Sequence, residues 1–144
     1  MQSQSTIQYL LSAWLFIFFC LGTENAPAST AIEKRPPQLK MIRATMCERI
    51  KDYSPVNFAV VFSVTVGKIS CFTSFDPVPE KTQIQHKWYF KDTLSTQKRL
   101  FLKTPRWSTY SSIQLREADK GPWRVEIVDK NNRILGILRF SVTD

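Results

Sequence analysis

The stretch Gln83-Ile84-Gln85-His86-Lys87-Trp88-Tyr89-Phe90 sets Ile84, His86, Trp88 and Phe90 at every second position among Gln83, Gln85, Lys87 and Tyr89. Successive side chains on a strand point to opposite faces, so this period of two predicts a strand with Ile84, His86, Trp88 and Phe90 turned inward and Gln83, Gln85, Lys87 and Tyr89 turned outward. Working outward from it, the same rule turns Ile69, Cys71 and Phe75 inward, then Trp123, Val125 and Ile127, then Leu138, Phe140 and Val142. Short alternating runs separated by turn residues roughly every 8 to 12 positions are the pattern of an all-β sandwich. Strands are expected at 40–46, 58–65, 68–75, 83–91, 96–102, 107–114, 123–129 and 134–142. Asp129-Lys130-Asn131-Asn132 suits a hairpin turn because Asn tolerates positive φ, and Lys120-Gly121-Pro122 opens the strand after it. The best helical candidate is brief, Cys47 to Tyr53, and ends where Ser54-Pro55 disfavours continuation.

The amino end has a different character. Tyr9 to Leu21 is an apolar run with no charge, shorter than the roughly 20 residues that a bilayer span needs. It fits the apolar region of a secretory signal, and the small residues from Ala26 to Ala31 offer an end at Ala28 or Ala31. No Lys or Arg precedes the run, which leaves an uncleaved anchor as the alternative. The expected organisation is a signal peptide over 1–28, a Pro36-Pro37-containing linker over 29–40, and an exported β-sandwich over 41–144. Of the three cysteines, Cys47 and Cys71 lie beyond the signal, and in an oxidising compartment two cysteines most simply form one bridge. Such a closure would contribute about 3 to 4 kcal/mol on the chain-entropy account. Two buried free thiols are the other reading.

Composition narrows the chemistry. The chain has 144 residues, one His and four Gly, too few for a multi-His metal site or a glycine-rich phosphate loop. No metal and no cofactor is therefore expected. All 20 basic residues lie at or after Lys34 and only Glu24 of the 12 acids falls in the first 28 residues, so residues 29–144 carry 20 positive against 11 negative charges, or +9. That field favours an anionic neighbour, and dispersed bases also serve simply as a solvated surface. Nucleic acid is not expected for an exported domain whose aromatics follow strand periodicity.

Three sets of residues are candidates for function. His86 shares a face with Ile84 and Trp88, which makes it a hydrogen-bonded core histidine along with the core residues Trp88, Trp107 and Trp123; the alternative is a small periplasmic hydrolase using His86 with Ser111 or Ser112. Arg106-Trp107-Ser108-Thr109-Tyr110-Ser111-Ser112 is the densest aromatic and polar segment. Its alternation groups Arg106, Ser108, Tyr110 and Ser112 on one strip that would stack on and hydrogen-bond a sugar or a peptide, with Tyr89 as a further candidate; the plainer reading is a hydroxyl ladder beside a packed ring.

The stretches Cys71-Phe72-Thr73, His86-Lys87-Trp88-Tyr89, Arg106 to Ser112, Gly121-Pro122-Trp123-Arg124-Val125-Glu126-Ile127 and Ile134 to Phe140 occur in this order. Together, from Met41 to Val142, they resemble the bacterial domain of unknown function 2914 (DUF2914). The resemblance implies a small immunoglobulin-like antiparallel β-sandwich of an envelope protein, located in the periplasm of a Gram-negative bacterium and anchored to its inner membrane if the signal is not cut, and it implies no activity. In that family the position after Trp107 is often Arg, whereas here it is Ser108. The expected function is a non-enzymatic interaction module that contacts an envelope protein or an anionic glycan.

Overall fold

The computed structural model describes residues 35–144. The apolar run at 9–21, the expected cleavage sites and the start of the linker lie outside the described residues. Nine strands follow one another: β1 Met41–Lys51, β2 Ser54–Phe58, β3 Val61–Ser63, β4 Lys68–Phe75, β5 Thr82–Phe90, β6 Thr93–Leu102, β7 Trp107–Gln114, β8 Gly121–Asp129 and β9 Ile134–Thr143. They form a four-stranded sheet in the order β2-β1-β4-β7 and a five-stranded sheet in the order β3-β9-β8-β5-β6. All pairings are antiparallel except that of β3 with β9, which is parallel.

The inner faces of the two sheets meet in one core. Met46, Ile69, Cys71 and Phe75 come from the first sheet, and Ile84, Trp88, Val125, Ile127, Phe140 and Val142 from the second. Phe140 lies at the centre of an aromatic cluster, edge-on to Trp88 at 6.1 Å and stacked with Trp123 at 6.0 Å. Offset and edge-to-face pairs of this kind add to the area buried. Trp107 is partly buried and packs against the hydrophobic core. The whole core and both sheets are drawn from a compact unit, Arg35–Asp144, which therefore has what a domain needs to fold on its own.

Three expectations give way to the structure. Cys47–Tyr53 is not helical. Residues up to Lys51 continue β1, and the chain reverses at Asp52 and Tyr53, whose φ values of 48° and 58° make a two-residue hairpin. Pro55, the residue that argued for a helix stop, sits in edge strand β2, where proline is tolerated. The continuous strand expected over 58–65 is divided, because the chain leaves the first sheet at Phe58 and joins the second at Val61. A 3-10 turn follows, capped by Ser63 Oγ accepting from the Thr65 amide at 3.1 Å and ended by Gly67 at φ 72°.

The third correction concerns the disulfide. Cys47 and Cys71 are both buried free thiols. Register explains it: Cys71 is opposite Met46 and turns into the core, whereas Cys47 is opposite Ser70 and turns to the other side of the sheet. Cys47 Sγ donates a weak bond to the Ser70 carbonyl at 3.6 Å. Adjacent strands bring the two residues close, but the pleat points their sulfurs apart.

Candidate functional site

The alternation of β5 carries His86 inward, and the pairing of β4 with β7 places Thr73 opposite Thr109 and Cys71 opposite Ser111 on the facing inner surface. The three polar side chains meet between the sheets. His86 Nδ1 lies 2.8 Å from Ser111 Oγ and Nε2 lies 3.2 Å from Thr73 Oγ1. Trp88 Nε1–H donates to the same Ser111 Oγ at 3.1 Å. Trp88 can only donate, and because a hydroxyl oxygen accepts two hydrogen bonds and donates one, either neutral tautomer of the imidazole satisfies both Ser111 and Thr73.

His86 is wholly inaccessible and Ser111 and Thr73 are buried with it. Burial pushes the imidazole down from its ordinary 6.5 to about 4, so the ring is neutral at pH 7. The hydroxyl–imidazole pair demanded by the hydrolase alternative thus exists for Ser111 and not for Ser112, which is paired outward with Ser70 at 2.7 Å. Its surroundings are those of a core network: the second ring nitrogen meets a threonine where a carboxylate would orient a catalytic base. Every buried side-chain polar atom has a partner among the described residues, which is how a sandwich accommodates a histidine in its middle.

The outward strip forms in part. Ser108, Tyr110 and Ser112 lie on the outer face of β7, opposite Ser74, Phe72 and Ser70. Ser108 Oγ donates to Ser74 Oγ at 3.0 Å, so two rungs of hydroxyl pairs flank Tyr110, which is 47% exposed. Arg106 stands before the strand, 3.7 Å from Asp76, and borders a concavity of about 500 Å³ with Ile42, Tyr53, Trp107 and Ser108. The carboxylate beside it offsets the cation that would have received an anion. Tyr89 is on the other sheet. Its ring lies under the Arg124 guanidinium, 4.0 Å from the centroid, and Arg124 in turn bonds Glu126 at 3.1 Å and pairs with Asp92. Tyr89 therefore does not extend the strip. No group of three His, Cys, Asp or Glu side chains stands close enough to hold a metal among the described residues.

Single carboxylates in turns carry no spacing signal in a sequence, and two of them, one in the hairpin turn that begins at Asp129, hold chain reversals here. Asp129 Oδ1 accepts from the amides of Asn131 and Arg133 at 2.8 and 2.9 Å, and Oδ2 from Arg133 Nε at 3.1 Å. Asp119 accepts from the Arg116 amide at 2.8 Å and from its guanidinium. Their carboxyl groups are held below the usual range, Asp119 chiefly by Arg116, and Asp129 by amide and guanidinium contacts that outweigh its burial. Both are structural clamps at chain reversals.

These features define a class: a two-sheet, all-β domain with a sealed polar centre and a basic, hydroxyl-rich exterior. Residues 81–142 match the family described as "Protein of unknown function (DUF2914)". The match takes in four of the five stretches that carry the resemblance, from His86 to Phe140, and leaves out Cys71-Phe72-Thr73. Among solved structures, a β-glucosidase from Kluyveromyces marxianus is similar at 11% identity with a TM-score of 0.42, over 74% of this chain and 14% of that one. The chain thus spans a small part of that enzyme's length. No curated protein matches it.

Proposed function

We propose that the chain is an exported, non-enzymatic, immunoglobulin-like module of a bacterial cell envelope, kept near the membrane by its amino-terminal segment, and that it contacts an envelope protein or an anionic envelope polymer. The observation that carries this reading is the placement of chemistry. The single histidine and its serine are sealed between the sheets, while the outer faces present cations, amides and hydroxyls to solvent. The apolar run at 9–21 and the +8 charge of the chain support export and an anionic neighbour.

The test uses residues 29–144, which contain the compact unit. Salt-sensitive binding to a defined envelope protein or polymer, measured by pull-down and glycan array, is the expected result, and loss of all such binding at low salt overturns it. Fractionation of the full chain, with sequencing of its mature amino terminus, checks the export step. The 2.8 Å contact of His86 with Ser111 favours the hydrolase as the second reading. Ester or peptide hydrolysis that disappears in Ser111→Ala with the fold intact would replace the first reading by this one.

A further inference from the structure

The outer face of β5 and β6 is built by a simple alternation. Along β5 and its approach the outward residues are Lys81, Gln83, Gln85, Lys87 and Tyr89; along β6 and its exit they are Gln97, Arg99, Phe101 and Lys103. The register sets Gln83 opposite Phe101, Gln85 opposite Arg99 and Lys87 opposite Gln97. Four cations, three amides and one uncovered aromatic ring thus share a stripe on which these two strands place no acid. From Lys81 to Tyr89 it is about 26 Å long at the rise of a strand.

No cation on this stripe is paired with a carboxylate among the described residues. Lys81 and Arg99 have no such partner, Lys103 Nζ lies over the Trp107 ring 5.2 Å from its centroid, and Lys87 donates to the Asn132 side-chain oxygen at 3.3 Å. The neighbouring acids are already engaged: Glu126 by Arg124, Glu80 by Lys130 and Asp129 by Arg133. Phe101 is 69% exposed, and with Gln83, Lys81, Lys103 and Lys130 it lines a concavity of about 420 Å³ at one end of the stripe.

We propose that this stripe binds a linear acidic polysaccharide. The inference rests on the module reading above and gives it a site and a ligand class. An extended, open face that includes the edge strand β6 suits a chain of repeated units more than a compact ligand. The Lys and Arg side chains meet carboxylates at intervals along it, the three glutamine amides bond sugar hydroxyls, and Phe101 packs on the CH face of one ring. A single-stranded nucleic acid is less well served, because binding successive bases takes several free rings and the second ring here, Tyr89, is capped by Arg124. An acidic peptide would use the cations and leave the ring and amides without a role.

The experiment titrates residues 29–144 with polygalacturonate, with neutral dextran, with poly-L-glutamate and with a thymidine oligonucleotide, at two salt concentrations. Polygalacturonate is expected to bind best and to weaken with salt, and dextran to bind far less. Lys81→Ser/Arg99→Ser/Lys103→Ser is expected to lose about tenfold or more in affinity. Removal of the same number of charges elsewhere, by Arg43→Ser/Arg49→Ser/Arg106→Ser, is expected to change it by about twofold or less. Phe101→Ser weakens binding without changing its salt slope. All substituted side chains are exposed, and unchanged thermal melts confirm the fold. Equal losses from the two triple variants overturn the site, and poly-L-glutamate or the oligonucleotide binding as tightly as polygalacturonate overturns the ligand class. If no polysaccharide binds but a defined envelope protein does, this inference falls and the module reading stands; if neither binds, both fall.

Discussion

Lowering the pH from 8 to 4 perturbs one buried group ahead of the clamping carboxylates. His86 has a pKa lowered from 6.5 to about 4 in the fold. In the unfolded chain it returns to the ordinary value, so between these limits the unfolded state binds the extra proton and stability rises with pH. The contribution is complete above pH 6.5, falls by up to about 1.4 kcal/mol per pH unit below it, and is gone near pH 4, for a total of about 3 kcal/mol. Against a typical domain stability of about 5 to 15 kcal/mol that is a large share. No other histidine exists in the chain to blur the transition. Asp119 and Asp129, with carboxyl groups held low, stabilise above their unfolded pKa near 3.8 and lose that contribution only as the pH falls further. Urea unfolding of residues 29–144 at pH 4.5, 5.5, 6.5 and 8 measures the effect. His86→Gln keeps a donor and an acceptor between Ser111 and Thr73 but cannot titrate, and its stability is expected to be flat across this range. A wild-type slope equal to that of His86→Gln, or an imidazole that titrates near 6.5 in the folded protein by NMR, would refute the reasoning.

Other outcomes follow from the same contacts. Ser111→Ala strands the Trp88 indole N–H and His86 Nδ1 in the core and is expected to cost about 1 to 3 kcal/mol in the same unfolding assay. Asp129→Ala removes the acceptor for two turn amides and is expected to cost about 1 to 2 kcal/mol, whereas Asp92→Ala, at an exposed site, should fall within about 0.5 kcal/mol. Cys47 and Cys71 are buried and burial raises both thiol pKa values. Titration with an aromatic disulfide reagent is expected to find both unreactive in the native protein and both reactive after denaturation. Immediate reaction of either thiol, or no reaction even when unfolded, would contradict the structure.

The sheet faces were legible in the sequence because period-two alternation runs through β5, through β8 as far as Ile127 and through the end of β9, where one side is buried and the other wetter. Ile84, Trp88, Val125, Ile127, Phe140 and Val142 all turn inward as that period requires. It failed where a strand is covered on both sides or changes sheets. Ser70, Phe72 and Cys47 are buried although they turn away from the main core, and the crossing at Ala59-Val60 leaves no mark in an apolar run. The pairing of His86 with Ser111 in preference to Ser112 depends on the register of β7 against β4, which no local pattern encodes. Cysteine counting failed for a related reason: it registers how many sulfurs there are and not which side of a pleat each occupies. The outward residues of β5 were visible at once, but their value as a surface depended on learning that β6 lies beside them and that Arg124 covers Tyr89.

The parallel contact of β3 with β9 ties the order of assembly to the order of synthesis. The strand that lies between β3 and β8 is the ninth of nine along the chain, so the larger sheet is missing an interior member until the ribosome has passed Ile134. Before that moment β3 has no strand neighbour and one hydrogen-bonding edge of β8 is unpaired. The larger sheet is therefore complete only once the ten-residue β9 has been added between its two waiting neighbours.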